Sequence, residues 1–322
     1  MVFESSCVPQ SPQHAFEVIQ AMVQRTPVMA SASLNVALGT ELWFKCEHLQ
    51  HTGSFKYRGA SYAVSQLPDD CPGVATHSSG NHGAALAAAA STQGLTADVV
   101  MPSNAVQCKI DAVRRYGGRV HFCAPTQDAR EHGLARLVKR GLTPIPPYDH
   151  DHIILGQSTI GTELLDEHED LDVIVAPIGG GGMLAGVTLA AQQHHRSVRV
   201  IGAEPAAADD AARSLAEGRR VQTHQPNTIA DGLRALIGIR NFNILHAHQC
   251  SILTVSEAQI LTAMATLWTD LKQIVEPSGA VALAAIMNNP ESFKDLKVGV
   301  VLSGGNLDMD PVFEPIRNLA AS

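Results

Sequence analysis

Residues 172–187 read DVIVAPIGGGGMLAGV, an apolar run that ends in four consecutive glycines and passes directly into a helical pattern. A β-branched run, a glycine turn and a helix in immediate succession predict a parallel strand feeding a covering helix. Glycine has no Cβ, so the backbone N–H groups of Gly179–Gly182 can converge on an anion. The helix start adds a favourable dipole, on the order of 1 kcal/mol. The stretch suits a phosphate. Two rival readings stay open on the residues alone. One is a plain tight turn. The other is a dinucleotide loop, because Gly180-x-Gly182-x-x-Ala185 fits that fingerprint and Glu204 lies at the end of the next strand. Pro177 and the glycines leave the run short of the ~20 apolar residues of a membrane-spanning helix.

The same rhythm extends in both directions. Val74–Thr76, Ala97–Met101, Arg119–Cys123, Asp172–Pro177, Val198–Ala203 and Lys297–Leu302 are short apolar runs closed by turn residues. Helical patterns such as Asn104–Tyr116, Gln127–Lys139 and Gln157–His168 lie between them. This is an α/β protein with mostly parallel sheets flanked by helices. Ser11-Pro12 predicts a capped helix start, Ser256 with Gln259 a capping box, and Gly94 and Gly117 helix stops. Three prolines in Thr143–Asp149 forbid a helix there, and a softer break falls at Gln66–Gly73. These breaks predict a small domain over 72–148, inserted into a large domain made of 1–71 and 149–322. A ligand would sit in the cleft between them.

With 322 residues the chain is long enough for about two domains, and 45% hydrophobic against 17% charged residues excludes disorder. The formal charge of −8 and the lack of a Lys/Arg block argue against a nucleic-acid partner. Six cysteines without a Cys-x-x-Cys pair read as free thiols of a reducing cytoplasm. The start MVFESSCVPQ lacks the basic and apolar regions of a signal peptide, so a signal peptide is not expected.

Three further stretches carry chemistry. Thr52–Ala60, TGSFKYRGA, sets Lys56 among small residues beside Phe55; the residues allow an ordinary surface lysine or a desolvated amine that condenses with an aldehyde. His77–Gly83, HSSGNHG, leaves a strand and enters the alanine helix, so its hydroxyls, amide and free N–H groups form a receiver for a carboxylate. Leu302–Asn306, LSGGN, closes the last strand and is aimed at the same cleft.

TGSFKYRGA, SSGNHG, the tetraglycine loop, GAEPAAADD, TIADG, EPSGA and VLSGGN occur in that order between Thr26 and Asp308. Together they resemble the pyridoxal-phosphate enzymes of fold type II, within them the serine/threonine dehydratase and serine racemase family. The resemblance implies that Lys56 condenses with the cofactor aldehyde, with Phe55 on one side of the ring and Gly232 on the other. Gly179, Gly180, Gly181 and Gly182 with the Met183 amide would hold the phosphate. Asn81 would bond the phenolic oxygen, and Ser303 would face the pyridine nitrogen. Ser78, Ser79, Gly80, Asn81 and His82 would receive the substrate carboxylate. Lys56 would remove the α-proton, and Ser79 stands where racemases of this family keep a base on the opposite face.

The activity implied is dehydration of a β-hydroxy amino acid such as L-serine or L-threonine to a 2-oxo acid and ammonia, with serine racemisation as a second activity. A 3-hydroxyaspartate dehydratase is the alternative, and Arg130 would then meet the second carboxylate. An NAD-binding dehydrogenase and a non-catalytic sensor are the readings from other classes. The resemblance also implies a homodimer, and a divalent cation, Mg²⁺ or Ca²⁺, held by Glu204, the Ala208 carbonyl and Asp210. The absence of His and Cys from 202–210 argues against zinc there. His51 replaces a lysine of the animal racemases, which argues against nucleotide activation although Thr52, Tyr116, Lys272 and Asn306 match. Only sixteen residues follow Asn306, so an appended regulatory domain is not expected.

Overall fold

In the computed structural model, which describes residues 10–78, 80–308 and 314–316, ten strands form two sheets. They are β1 (Val28–Met29), β2 (Glu41–Lys45), β3 (Val74–His77), β4 (Ala97–Pro102), β5 (Arg119–Cys123), β6 (Thr143–Pro144), β7 (Val173–Pro177), β8 (Arg199–Pro205), β9 (Ser251–Val255) and β10 (Lys297–Val301). The larger sheet has the order β1-β2-β10-β7-β8-β9 and the smaller β5-β4-β3-β6. Only the two-residue β1 runs antiparallel to its neighbour. The α/β architecture expected from the strand-turn-helix rhythm is present.

Every residue of β7 is buried, as helix-covered parallel strands require, and this is why 173–177 reads as a continuous apolar run. The chain leaves the larger sheet after β2, builds the smaller sheet from 74–144, and returns through β7. Because β2, β10 and β7 are adjacent and parallel, the segments after them emerge on one edge, carrying Lys56, Ser303 and the glycine loop. That edge is where open α/β sheets place ligands.

The predicted caps form. Ser11 Oγ accepts the His14 N–H, Ser256 and Gln259 make the capping box, and Gly94 (φ 71°) and Gly117 (φ 82°) take the left-handed turn after their helices. The helix expected from Gln157 starts instead at Asp151. Pro146 and Pro147 prevent helix only up to that point, and Ile153 and Ile154 bury in its first turn. β2 and β9 escape the apolar-run criterion for different reasons. β9 is an edge strand with an exposed end, and β2 ends in Lys45, whose charge is fully buried.

Lys45 belongs to an ion network behind the Lys56–Ser65 helix. Arg58 bonds Glu47 at 2.8 Å and Glu163 at 2.7 Å, Lys45 bonds Glu163 at 2.6 Å, and Thr26 donates to Glu47 at 2.6 Å. Burial raises the Glu47 carboxyl, but the Arg58 charge and hydrogen bonds outweigh it and hold that group below the usual range. The network ties the Lys56–Ser65 helix to the Asp151–Glu167 helix, which approach so closely that a Cβ on Gly156 would fall 2.6 Å from the Gly59 Cα. Among the described residues no helix is long and apolar enough to cross a membrane.

Candidate active site

Lys56 opens its helix at the carboxyl edge of the larger sheet, and its Nζ donates to the Pro147 carbonyl at 2.8 Å. The same Nζ lies 4.9 Å from the centroid of the Phe55 ring. Burial lowers the ammonium to about 8, with the Glu276 charge opposing the shift. An amine at about 8 is uncharged in a useful fraction near neutrality, which an exposed lysine is not. The Phe55 N–H donates to the Ser303 carbonyl at 3.0 Å, so the end of β10 is pinned beside Lys56, with Ser303 3% exposed.

The glycine loop is held from above by residues to which the sequence analysis assigned no role. A Cβ on Gly180 would fall 2.4 Å from the Tyr148 ring, one on Gly182 2.8 Å from the Tyr148 carbonyl, and one on Gly179 2.8 Å from the Leu233 Cα. Asn241 Nδ2 donates to the Gly180 carbonyl at 2.6 Å and to the Tyr148 carbonyl at 3.3 Å. Gly181, at φ 91°, is the N-cap of the Gly182–Gln193 helix and brings no side chain to its first turn. The first-turn N–H groups, Met183 included, have no side-chain cap, which fits an anion.

Opposite the loop, four quoted motifs meet in one web. Asn81 Nδ2 donates to Glu276 Oε1 at 2.7 Å, and Asn81 Oδ1 accepts from Asn306 at 3.1 Å. Glu276 lies against the LSGGN loop, where a Cβ on Gly304 would fall 2.5 Å from its Oε1. Burial raises the Glu276 carboxyl to about 7 against the opposing Lys109 charge. Lys109, from the smaller sheet's side, bonds Asp231 at 2.6 Å and lies 3.5 Å from Glu276. Its stem passes over Gly80, whose Cβ would meet the Lys109 Cδ at 2.3 Å. Gly232, next to Asp231, donates its N–H to Ser278 Oγ at 3.0 Å. The second hydrogen on Asn81 Nδ2 is left for a phenolic oxygen. EPSGA reads as a helix start, with Pro277 in the first turn, so a role for Glu276 leaves no local mark.

Two side chains of the expected carboxylate receiver have partners within the protein. Ser78 Oγ accepts the N–H groups of Gly80 and Gly83, both at 3.1 Å, and thereby caps the Asn81–Thr92 helix. His82 turns its ring away, with Nε2 3.1 Å from the Ile145 carbonyl, so its side chain serves the fold. Burial, reinforced by the Lys56 charge, lowers that imidazole to about 3 and keeps it neutral. Ser79 lies outside the described residues. Arg130 is half-buried, its Nε 3.4 Å from the Thr126 carbonyl of its own helix, and its charge reaches His77 at the end of β3.

Glu204 ends β8 fully buried; its Oε1 accepts the Ala212 N–H at 2.8 Å, while its Oε2 has no hydrogen-bond partner. Burial, opposed by the Ala212 hydrogen bond, raises that carboxyl to about 8. Asp210 Oδ2 accepts the Ile237 N–H at 2.8 Å. Ala208 is buried in the 3₁₀ turn between them. No histidine lies within 202–210, but His224 reaches Asp210 from fourteen residues further along, at 3.1 Å. Sequence proximity does not show what a returning loop brings back.

A desolvated amine, an uncapped glycine helix start and an amide beside a buried carboxyl fit pyridoxal phosphate, and the comparisons agree. The family described as "Pyridoxal-phosphate dependent enzyme" matches residues 19–304. A serine racemase from Arabidopsis thaliana is 44% identical over 317 residues, covering 96% of each chain. A beta-hydroxyaspartate dehydratase from Paracoccus denitrificans is 44% identical over 299 residues, covering 92% of this chain and 95% of its own. The solved structure of maize serine racemase superposes with a TM-score of 0.91 at 37% identity, covering 96% of this chain and 97% of that one. The fold, the lysine and the glycine cradle thus converge, and the chain belongs to the pyridoxal-phosphate-dependent enzymes of fold type II.

Proposed function

We propose that the protein dehydrates and deaminates a β-hydroxy amino acid of the serine or threonine type, giving a 2-oxo acid and ammonia. The observation that carries this reading is the desolvated Lys56 amine, lowered to about 8 and bonded to the Pro147 carbonyl, next to the Tyr148 ring that covers Gly180 of the glycine loop. Gly179–Gly182 and Met183 would hold the cofactor phosphate, Phe55 and Gly232 would flank its ring, Asn81 would bond its phenolic oxygen, and Ser303 would face its ring nitrogen. When bound, pyridoxal phosphate supplies a carbonyl carbon for the amino group and an electron sink for Cα. The backbone N–H groups of Asn81 and His82 orient the substrate carboxylate at the helix start. Lys56 Nζ takes the α-proton, and the β-hydroxyl departs as water. The released enamine hydrolyses to the 2-oxo acid and ammonia.

Purified enzyme is expected to be yellow, and borohydride should bleach it and fix the cofactor on Lys56. A substrate panel of serine, threonine and the 3-hydroxyaspartate isomers, assayed for 2-oxo acid, tests the reaction class. A colourless protein that binds NAD overturns it. The 3-hydroxyaspartate reading is favoured by one observation, the reach of the Arg130 charge to His77 beside the carboxylate loop. Turnover of hydroxyaspartate far above serine in the same panel selects it.

Two predictions arise from this site. Cofactor uptake by the apoenzyme should accelerate as pH rises through about 8 and then level off, because only the uncharged amine attacks the aldehyde. Stopped-flow absorbance at a series of pH values checks this, and a rate still climbing at pH 10 means the lysine is unperturbed. Ser79→Ala should cost interconversion of L- and D-serine far more than dehydration of the L-substrate. Equal losses in a chiral assay leave Ser79 a binding residue.

The same reading includes the domains 72–148 and 1–71 with 149–322, supported by the two sheets, and a homodimer. Exposed Leu49 and Ile274, flanking the 2.8 Å contact of His48 with Gln273, support a subunit contact. A cytoplasmic setting is supported by the free thiols Cys46, Cys71, Cys108, Cys123 and Cys250. A divalent cation at Glu204, the Ala208 carbonyl and Asp210 completes it, supported by the unpartnered, buried Oε2 of Glu204.

A further inference from the structure

The Asn81 amide sits in a row of hydrogen bonds whose direction is set at one end by the backbone. Asn306 Nδ2 donates to the Thr52 carbonyl at 2.8 Å. A carbonyl only accepts, so the Asn306 nitrogen must face it. The other hydrogen on that nitrogen goes to Asn81 Oδ1 at 3.1 Å. Asn81 therefore turns its nitrogen the other way, and Nδ2 donates to Glu276 Oε1 at 2.7 Å. Inverting Asn81 alone would set oxygen against oxygen at Glu276 and nitrogen against nitrogen at Asn306, losing two hydrogen bonds.

Packing clamps both ends of the row. Thr52 is buried and β-branched, yet holds φ 65°, a left-handed backbone that such residues seldom adopt. The Asn306 amide lies on Gly53, where a Cβ would fall 2.4 Å from its Oδ1. At the far end Glu276 is 2% exposed, and its N–H donates to the Gly304 carbonyl at 3.0 Å. Its Oε2 is buried without a hydrogen-bond partner, 3.5 Å from Lys109 Nζ. Asn81 is half-buried, and water could satisfy a free amide there. A buried carboxyl is a costly substitute for that water, and what it adds is direction.

We propose that Asn306 and Glu276 are positioning residues for the cofactor, acting through Asn81. Between them they aim its free N–H at the phenolic oxygen and keep Oδ1 turned away. The inference rests on the reading above that Asn81 bonds this oxygen. An inverted Asn81 would present an acceptor to an electron-rich oxygen, replacing an attraction by a repulsion. Neither Asn306 nor Glu276 has to touch the cofactor to have this effect.

The test uses the full-length, cofactor-loaded enzyme and reads the absorbance maximum of the bound cofactor and its rate of release on dilution. Asn81→Ala removes the donor and gives the reference, a shifted maximum and release about tenfold faster or more. Asn306→Asp keeps the shape of the side chain but replaces its donor by an acceptor, so it should match that reference. Glu276→Leu should move both readouts the same way. Glu276→Gln, whose amide oxygen still accepts from Asn81, should recover most of the loss. A purely structural role would lower Tm equally in the two Glu276 variants without separating their maxima. If Glu276→Leu fails to fold, the opposite behaviour of Asn306→Asp and Glu276→Gln still decides. A wild-type maximum and release rate in Asn306→Asp, with Asn81→Ala shifted, overturns the inference and leaves the Asn81 reading standing. So does a Glu276→Gln enzyme no better than Glu276→Leu. Wild-type behaviour in Asn81→Ala overturns both.

Discussion

Lys56→Ala is expected to lower 2-oxo acid formation by at least about 10³-fold and to leave a folded protein. The size of the loss follows from the two tasks that meet in one atom. Nζ is both the amine that anchors the cofactor and the base that takes the α-proton, and no other described lysine stands at that edge of the sheet with a lowered amine. The fold should survive because Lys56 is half-buried, opens its helix, and loses one hydrogen bond to Pro147 on truncation. Alanine is also the best helix former. Circular dichroism and thermal melting report the fold, a 2-oxo acid assay reports turnover, and borohydride labelling reports the anchor. Elimination near the wild-type rate would refute the assignment.

Arg58→Met is expected to act on the other side of the same helix, and on stability first. Arg58 is fully buried between Glu47 and Glu163, so methionine fills much of its volume but leaves the carboxylates facing Lys45 alone. Removing one partner of a buried pair costs about 3–5 kcal/mol. For a chain of this size that is a fall in Tm on the order of 10 °C. The pH dependence should change sign. In the wild type the Glu47 carboxyl lies below its usual range, so its pairing contributes stability that is present above that range and lost as acid protonates it. In the variant, burial without Arg58 raises the same carboxyl, so acidification should restore part of the loss. Melting curves at pH 5 and pH 8 test both statements. A shift under about 2 °C at pH 8 would show that Lys45 alone sustains the network. Cofactor affinity should fall with stability, since the network fixes the helix that Lys56 opens.

Several elements were legible because their cause is local. The apolar runs of β3, β4, β7, β8 and β10 are buried on both faces and advertise it, and the caps at Ser11 and Ser256 are made with residues three positions away. Lys56, the glycine loop, Asn81 and Ser303 are recognisable by ordered motifs. β2 was not legible, because Lys45 and Glu47 read as surface charges until Arg58 and Glu163, from two other elements, are placed against them. The web around Glu276 joins residues 81, 109, 231, 276 and 306, and no window of sequence contains two of its links.

The sequence by itself determined the strand-turn-helix rhythm, the two stretches of proline-rich interruption, and which amine and which glycines stand at strand ends. These depend on side-chain periodicity, glycine conformation and short-range capping, all of which act over a few residues. The tertiary structure alone decided that Ser78 and His82 turn their side chains to the fold, that Lys109 crosses to Asp231 and Glu276, and that His224 returns to Asp210. Each of those outcomes depends on desolvation and on partners brought together by chain reversal, and a buried charge or lone pair acquires its role only when the groups that compensate it are in place.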